Sequence, residues 1–202
     1  MIGLRERKKQ QTRQQIFEVS QRLFARRGFD KVTVADIAQG ANVSEVTVFN
    51  YFPTKEDLFY AGMQVFEERL VEAVRDRPSG ESALRAFRRR VLEGAASLEA
   101  GERADAIVRA GRIIASSHSL QSRERQIIDQ YTARLADLLP GDIEAKVAAA
   151  TLMAAHRALV AYIRERAAAG RRGRSLAEDF RKQARRAFGR LERGLEDYAV
   201  RA

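Results

Sequence analysis

Reactive side chains are sparse in this chain. It has no cysteine, which removes thiol nucleophiles, disulfides, iron–sulfur clusters and Cys-ligated zinc from consideration. Its two histidines, His118 and His156, lie too far apart in sequence to suggest a His-rich metal site. There is no HExxH motif, no Gly-rich phosphate loop and no nucleophile–base–acid set, so neither an enzyme nor a bound cofactor or metal is expected. Positive charge, in contrast, is abundant: 37 Lys and Arg against 27 acids give a formal net charge of +10 and a pI near 10.5. Such an excess favours polyanions: nucleic acid, an anionic membrane surface or acidic ligands. Within it one short stretch groups the right donors for nucleic acid: Ser44, Glu45, Val46, Thr47, Phe49, Asn50 and Tyr51, followed by Lys55. The hydroxyls of Thr47 and Tyr51 and the ammonium of Lys55 can donate to phosphate oxygens, contacts that fix register without reading sequence. Asn50 can pair with adenine, and Val46 or Phe49 can pack on a thymine methyl. The chemistry on offer is DNA contact.

These residues need a scaffold, and the pattern around them is helical throughout. Only three prolines occur (Pro53, Pro78, Pro140), and Lys31–Val34 is the single strand-like candidate. Ile16, Val19, Ser20, Leu23 and Phe24 recur at helical spacing in a first helix over Arg5–Arg27, which Gly28 closes. Thr33-Val34-Ala35-Asp36 reads as a capping box opening a second, short helix to Gly40. Asn42 stands where a left-handed residue is wanted, and Ser44 caps a third short helix to Tyr51. Thr54 caps a fourth, which continues to Arg77 and stops before Pro78. Five more helices are expected over Glu81–Leu98, Glu102–Ser116, Leu120–Leu139, Ile143–Ala169 and Ser175–Val200. The expectation is an all-α fold of about nine helices, with a DNA-binding domain over 1–55 and a helical ligand-binding and dimerisation domain over 56–202. No apolar run approaches the roughly 18 residues needed to cross a bilayer, and the opening MIGLRERKKQQTRQQ has no apolar signal core. A soluble, cytoplasmic protein is expected, with no membrane partner.

Two short capped helices with a tight turn between them form a helix-turn-helix. Here the match extends over residues 12–59. Phe24…Gly28-Phe29, Thr33-Val34-Ala35-Asp36-Ile37-Ala38 and Val43-Ser44…Thr47-Val48-Phe49-Asn50-Tyr51-Phe52…Lys55-Glu56-Asp57-Leu58 resemble the DNA-binding domain of the tetracycline-repressor (TetR) family of bacterial regulators. The resemblance implies that Thr33, Thr47, Tyr51 and Lys55 hold phosphates, while Ser44, Glu45, Val46 and Phe49 approach base edges. Two residues depart from the family pattern. Phe49 replaces the common tyrosine and loses a hydroxyl, and Val46 replaces a frequent glycine and adds bulk near DNA. Bottom-up, Ile37, Ala38, Val43, Val48, Phe52 and Leu58 are spaced to face the first helix as core. Arg5, Arg7, Lys8, Lys9 and Arg13, against Glu6 alone, form a basic arm that can follow the DNA backbone or enter a minor groove.

The remaining residues must bury their own apolar faces. In the eighth helix Val147, Ala150, Thr151, Ala154, Ala158 and Ala161 form a stripe of mostly small residues beside a second stripe, Leu152, His156, Leu159 and Ile163. The ninth places Leu176, Phe180, Ala184, Ala187, Leu191, Leu195 and Tyr198 on one side. Two apolar faces exceed what one core needs, so a partner surface is expected. The resemblance implies the same, a homodimer through the last two helices. Phe66, Leu70, Phe87, Val91, Ile107, Ile114, Tyr131 and Met153 are candidates to line an effector pocket, with His156 and Tyr131 as its polar contacts. Arg164–Arg193 carries 11 Lys and Arg against four acids, the solvated face of two helices or an attraction for an acidic ligand or DNA phosphates. The expected function is a homodimeric, ligand-responsive transcriptional repressor that binds a palindromic operator in double-stranded DNA under a small-molecule effector. The alternatives are a ligand-independent or architectural DNA binder, and an all-helical small-molecule-binding protein without a regulatory role.

Overall fold

The computed structural model describes residues 3–195. Among the described residues nine α-helices follow one another: α1 Leu4–Arg27, α2 Val34–Gly40, α3 Glu45–Tyr51, α4 Lys55–Arg75, α5 Ala83–Gly94, α6 Gly101–Ala115, α7 His118–Ala136, α8 Ile143–Ala168 and α9 Gly173–Leu195. There is no extended strand among the described residues. The end of the last helix, expected to reach Val200, and its Tyr198 lie outside the described residues. None of the described helices is long and apolar enough to cross a membrane.

Local side-chain chemistry sets the helix starts. The Thr33 hydroxyl accepts from the Asp36 N–H, and the Asp36 carboxylate accepts from the Thr33 N–H, a full capping box for α2. Ser44 Oγ accepts from the Thr47 N–H at 3.1 Å, and Thr54 Oγ1 from the Asp57 N–H at 3.0 Å. Ser82 Oγ accepts from the Arg85 N–H, so α5 begins at Ala83 rather than at Glu81. Its expected last turn tightens into a 3-10 turn over Ala95–Leu98. Between α2 and α3, Asn42 adopts φ 51°, the one left-handed non-glycine among the described residues.

Packing divides the chain into two units rather than at a single cut. The first takes the residues up to Gln64 together with Arg112–Arg123, and the second takes Val65–Gly111 with the residues from Glu124 onward. Helices α4, α6 and α7 each contribute to both. In the first unit Phe24, Phe29 and Phe59 form a mutual cluster with ring centroids 5.1–5.8 Å apart. Around it Ile16, Ile37, Val48, Phe52 and Leu58 are buried, while Val43, expected with them, is half-buried. The segment 112–123 joins this unit by specific bonds. Tyr60 donates to the Leu120 carbonyl at 3.0 Å, Ser117 to Asp30 at 2.8 Å and Arg123 Nε to Asp57 at 2.9 Å.

In the second unit α5, α8 and α9 pack together around Leu84, Phe87, Leu152, Met153 and Phe188. α8 separates its two stripes except at Thr151, expected in the small-residue stripe, which is half-buried. Leu152, His156, Leu159 and Ile163 are buried. Val147, Ala150, Ala154, Ala158 and Ala161 are exposed, as is Ile143 at the start of the helix. On α9, Leu176, Ala177, Phe180, Ala184 and Phe188 point into the core.

Candidate nucleic-acid interface

α3 is a two-turn helix anchored on one side only. Val48 and the following Phe52 are each 2% exposed and fix it to the core. Glu45, Val46, Phe49 and Asn50 face solvent, with Thr47 and Tyr51 at the margins. Val46 is 68% and Phe49 47% exposed. A seven-residue helix could have buried more apolar area, so two large apolar side chains left out beside an amide and hydroxyls form a surface suited to a partner. Ser44 Oγ and Thr47 Oγ1 lie 2.8 Å apart, which joins the cap to the outward face.

The positions named for phosphate contact differ in how far they are already engaged. Thr33 donates both its N–H and its hydroxyl to Asp36 Oδ2, each at 2.9 Å. Those two bonds, the backbone one first, hold the Asp36 carboxyl below its usual value, with Arg27 at 3.3 Å adding to the effect. Lys55 turns inward. Its ammonium donates to the carbonyls of Phe29 and Val32 at 3.1 and 2.9 Å and sits 4.2 Å from the centre of the Phe29 ring. Two of its three N–H donors therefore tie the α1–α2 connection to the start of α4. The first half of α1 stands apart from the core. From Leu4 to Gln15 no side chain is buried, and Arg5, Arg7, Lys8, Lys9 and Arg13 are exposed. The Arg13 guanidinium lies over the Phe52 ring at 4.7 Å.

Residues 16–69, which include all of this geometry except the arm, match the model for "Bacterial regulatory proteins, tetR family". This N-terminal region is similar to that family. The transcriptional regulator TcmR of Streptomyces glaucescens is 34% identical over 85 residues, 42% of this chain and 38% of TcmR. LuxR of Vibrio harveyi, another HTH-type transcriptional regulator, is 56% identical over 46 residues, 23% of this chain and 22% of LuxR. The matched stretches thus span well under two thirds of either relative. In fold the likeness runs further. The crystal structure of Thermus thermophilus FadR, a tetR-family transcriptional repressor in complex with lauroyl-CoA, superposes with a TM-score of 0.51 at 20% identity, over 87% of this chain and 92% of that one.

The second unit holds a further cluster of interest. Phe66 stacks on His156 at 5.5 Å, Phe87 meets the same imidazole edge-on at 6.4 Å, and Phe188 lies 6.0 Å beyond Phe87. Leu70, Phe87 and Met153 are fully buried, Tyr131 is buried, and Ile107 is half-buried. Ile114, named with them from the sequence, belongs to the first unit. Burial pushes His156 down to about 4, so the imidazole is neutral, and its Nδ1 has no hydrogen-bond partner. One residue escaped the sequence-based reading: Glu67, half-buried, with an enclosed Oε2 that also lacks a partner. It could have been found, because Tyr60, Gln64, Glu67, Val71 and Val74 recur at the inward spacing of α4 and place an acid in that stripe. Elsewhere on this unit an open groove of about 590 Å3 runs between α5 and α9, lined mainly by Arg85, Arg88, Arg89, Arg181 and Arg185. Arg88 pairs with Glu192, Arg89 with Glu81, and Arg181 with Glu99.

Proposed function

We propose that this chain is a sequence-specific DNA-binding transcriptional regulator, a ligand-responsive repressor that acts as a cytoplasmic homodimer on a palindromic operator. The observation that carries the reading is α3, a capped helix pinned by Val48 and Phe52 that presents Val46, Phe49 and Asn50 outward. Such a helix fits a major groove, with Phe49 and Val46 against thymine methyls and Asn50 on adenine. Thr47, Tyr51 and the third donor of Lys55 hold phosphates, with Ser44 and Glu45 at base edges and the N-terminus of α2 at Thr33 against the backbone. The match of residues 16–69 to a model of bacterial regulatory proteins supports this over an enzyme.

Dimerisation is supported by the exposed stripe Val147, Ala150, Ala154, Ala158 and Ala161 on α8, whose small side chains allow close approach of a second copy. Effector control is supported by the aromatic cluster around His156 and by the lauroyl-CoA that FadR, a protein of like fold, holds in its crystal. The lever is α4, which starts four residues after α3 ends and continues to Arg75. A ligand that prefers one arrangement of α4 biases DNA affinity, provided it binds the two states unequally.

The test is the stoichiometry of the complex, measured by light scattering on a duplex selected from random DNA. Two chains per duplex support the reading; a single chain on a non-repeated site overturns the homodimer. For the effector, linkage demands reciprocity: a ligand that weakens operator binding by some factor is itself weakened by operator to the same extent.

A further inference from the structure

Helix α1 outruns the core it belongs to. Ile16, Val19 and Ser20 are buried, and Phe24 joins the aromatic cluster. Yet the helix begins at Leu4, about 18 Å of helical rise before Ile16. Helical spacing carries the buried stripe straight into this extension. Counting back from Ile16 in steps of three and four reaches Thr12, Arg13, Lys9, Lys8 and Arg5. Of these only Thr12 is partly covered, and its hydroxyl donates back to the Lys8 carbonyl at 3.0 Å. The side of α1 that is apolar against its unit is therefore basic beyond it. On the opposite side Arg7, Gln10, Gln11, Gln14 and Glu18 share an open groove, with amides in place of a run of charge. Two contacts set the basic side next to α3. The Arg13 guanidinium lies 4.7 Å from the centre of the Phe52 ring, the residue that follows α3. Gln15 Nε2 donates at 3.0 Å to the carbonyl of Ala41, in the connection that leads into α3.

Arg5, Lys8 and Lys9 are exposed and enter no ion pair among the described residues. Arg5 with Lys9, and Lys9 with Arg13, are like charges at i,i+4, and cations in the first turns of a helix oppose its dipole. No buried side chain compensates, since none occurs between Leu4 and Gln15. A polyanion laid along this face relieves both repulsions. Its geometry follows from size. An α-helix with its side chains is about 10–12 Å across, against a minor groove roughly 6 Å wide, so the arm as folded stays outside that groove. The major groove is taken by α3 in the reading above, which leaves the phosphates.

We propose that Arg5, Lys8 and Lys9 form a phosphate clamp. While α3 occupies the major groove, the N-terminal half of α1 lies along the sugar–phosphate backbone flanking that half-site and adds affinity without reading sequence. Arg13, held over Phe52, joins the clamp to the end of α3. This extends the DNA-binding reading and rests on it.

The experiment is fluorescence-anisotropy titration of the full chain between 50 and 200 mM salt, on a duplex selected from random DNA and long on both sides of the repeat. Arg5→Gln, Lys8→Gln and Lys9→Gln together keep long side chains and remove three charges; circular dichroism confirms that the variant folds. Each phosphate contact contributes about 0.9 to the log–log salt slope, so the slope should fall by about 2.7 for each chain bound. The weakening across that salt range should then shrink about 40-fold per chain. Hydroxyl-radical footprints should lose protection outside the half-sites, and the enriched motif should stay the same. Arg7→Gln, on the opposite side of the helix, should move the slope by less than about half a unit. A slope and footprint unchanged in the triple variant would overturn the clamp. So would Arg7→Gln acting as strongly as each of the three, because the effect would then be one of net charge alone. A changed A·T content in the flanks enriched by the variant would put the arm in the minor groove and overturn it too. Each of these outcomes leaves the DNA-binding reading intact; wild type that binds no duplex overturns that reading and the clamp with it.

Discussion

The two units treat their polar groups in opposite ways. In the first, the capping side chains near the proposed DNA face are answered within three residues: Thr33 by Asp36, Ser44 by Thr47 and Thr54 by Asp57. These pairs are largely exposed, and they order the backbone from which Val46, Phe49 and Asn50 project. In the second, Glu67 Oε2 and His156 Nδ1 are enclosed and unanswered. A surface that meets one invariant polyanion can be organised by local caps, whereas a site that answers a changing ligand leaves its own polar atoms open.

The largest effect should come from placing charge on the exposed α8 stripe. Ala154 is exposed in the single chain, so Ala154→Asp should fold normally. In a two-fold dimer the carboxylate meets an apolar partner surface twice, and light scattering should report monomers. Dimers that persist would place the partner surface elsewhere. Next in size is Phe24→Ala, which empties the centre of the aromatic cluster in the first unit and should cost about 3–5 kcal/mol in urea unfolding. A loss below about 1 kcal/mol would mean that the cluster does not hold this unit together.

The pH dependence of the second unit sharpens the contrast, because its two buried groups act with opposite signs. His156 is depressed to about 4, so the unfolded chain takes up the proton first; its contribution is complete above 6.5 and is lost as pH falls toward 4. Glu67 is raised to about 7, so its contribution is complete below 4.5 and is lost as pH rises through 7. Each is worth up to about 3 kcal/mol, and in wild type they largely cancel across that window. His156→Leu should unmask a stability that falls from pH 4.5 to 7, and Glu67→Gln one that falls from 6.5 to 4. In the first unit Asp36 is depressed by its Thr33 bonds, and its contribution fades only as pH falls below the usual carboxylate range. The smallest effect is Ser44→Ala, which removes one cap and should cost about 1 kcal/mol.

What could be read in advance follows the same division. Thr33, Ser44, Thr54 and Asn42 were legible because caps and left-handed turns are contacts within a few residues, which spacing reveals. The two stripes of α8 were legible because periodicity reports faces. The inward bonds of Lys55 were not legible, because the carbonyls it bonds, of Phe29 and Val32, lie 26 and 23 residues earlier. The basic run from Arg164 was opaque for the same reason: Arg164, Arg172 and Arg181 find Glu124, Asp105 and Glu99 across 40, 67 and 82 residues. Ile114 shows the limit of grouping apolar residues by helix, since α6 contributes to both units and the division falls after Gly111.

The central claim is that the outward face of α3 reads DNA sequence. The direct measurement is enrichment of bound duplexes from a random pool, run with wild type and with a chain carrying Val46→Ala, Phe49→Ala and Asn50→Ala together. Wild type should enrich an inverted repeat with half-sites roughly 34–36 Å apart, or a multiple of that. The variant, folded by circular dichroism because all three positions are exposed, should lose that motif while keeping salt-dependent affinity for bulk duplex. Recovery of the same motif by the variant, or of no motif by wild type, would contradict the claim.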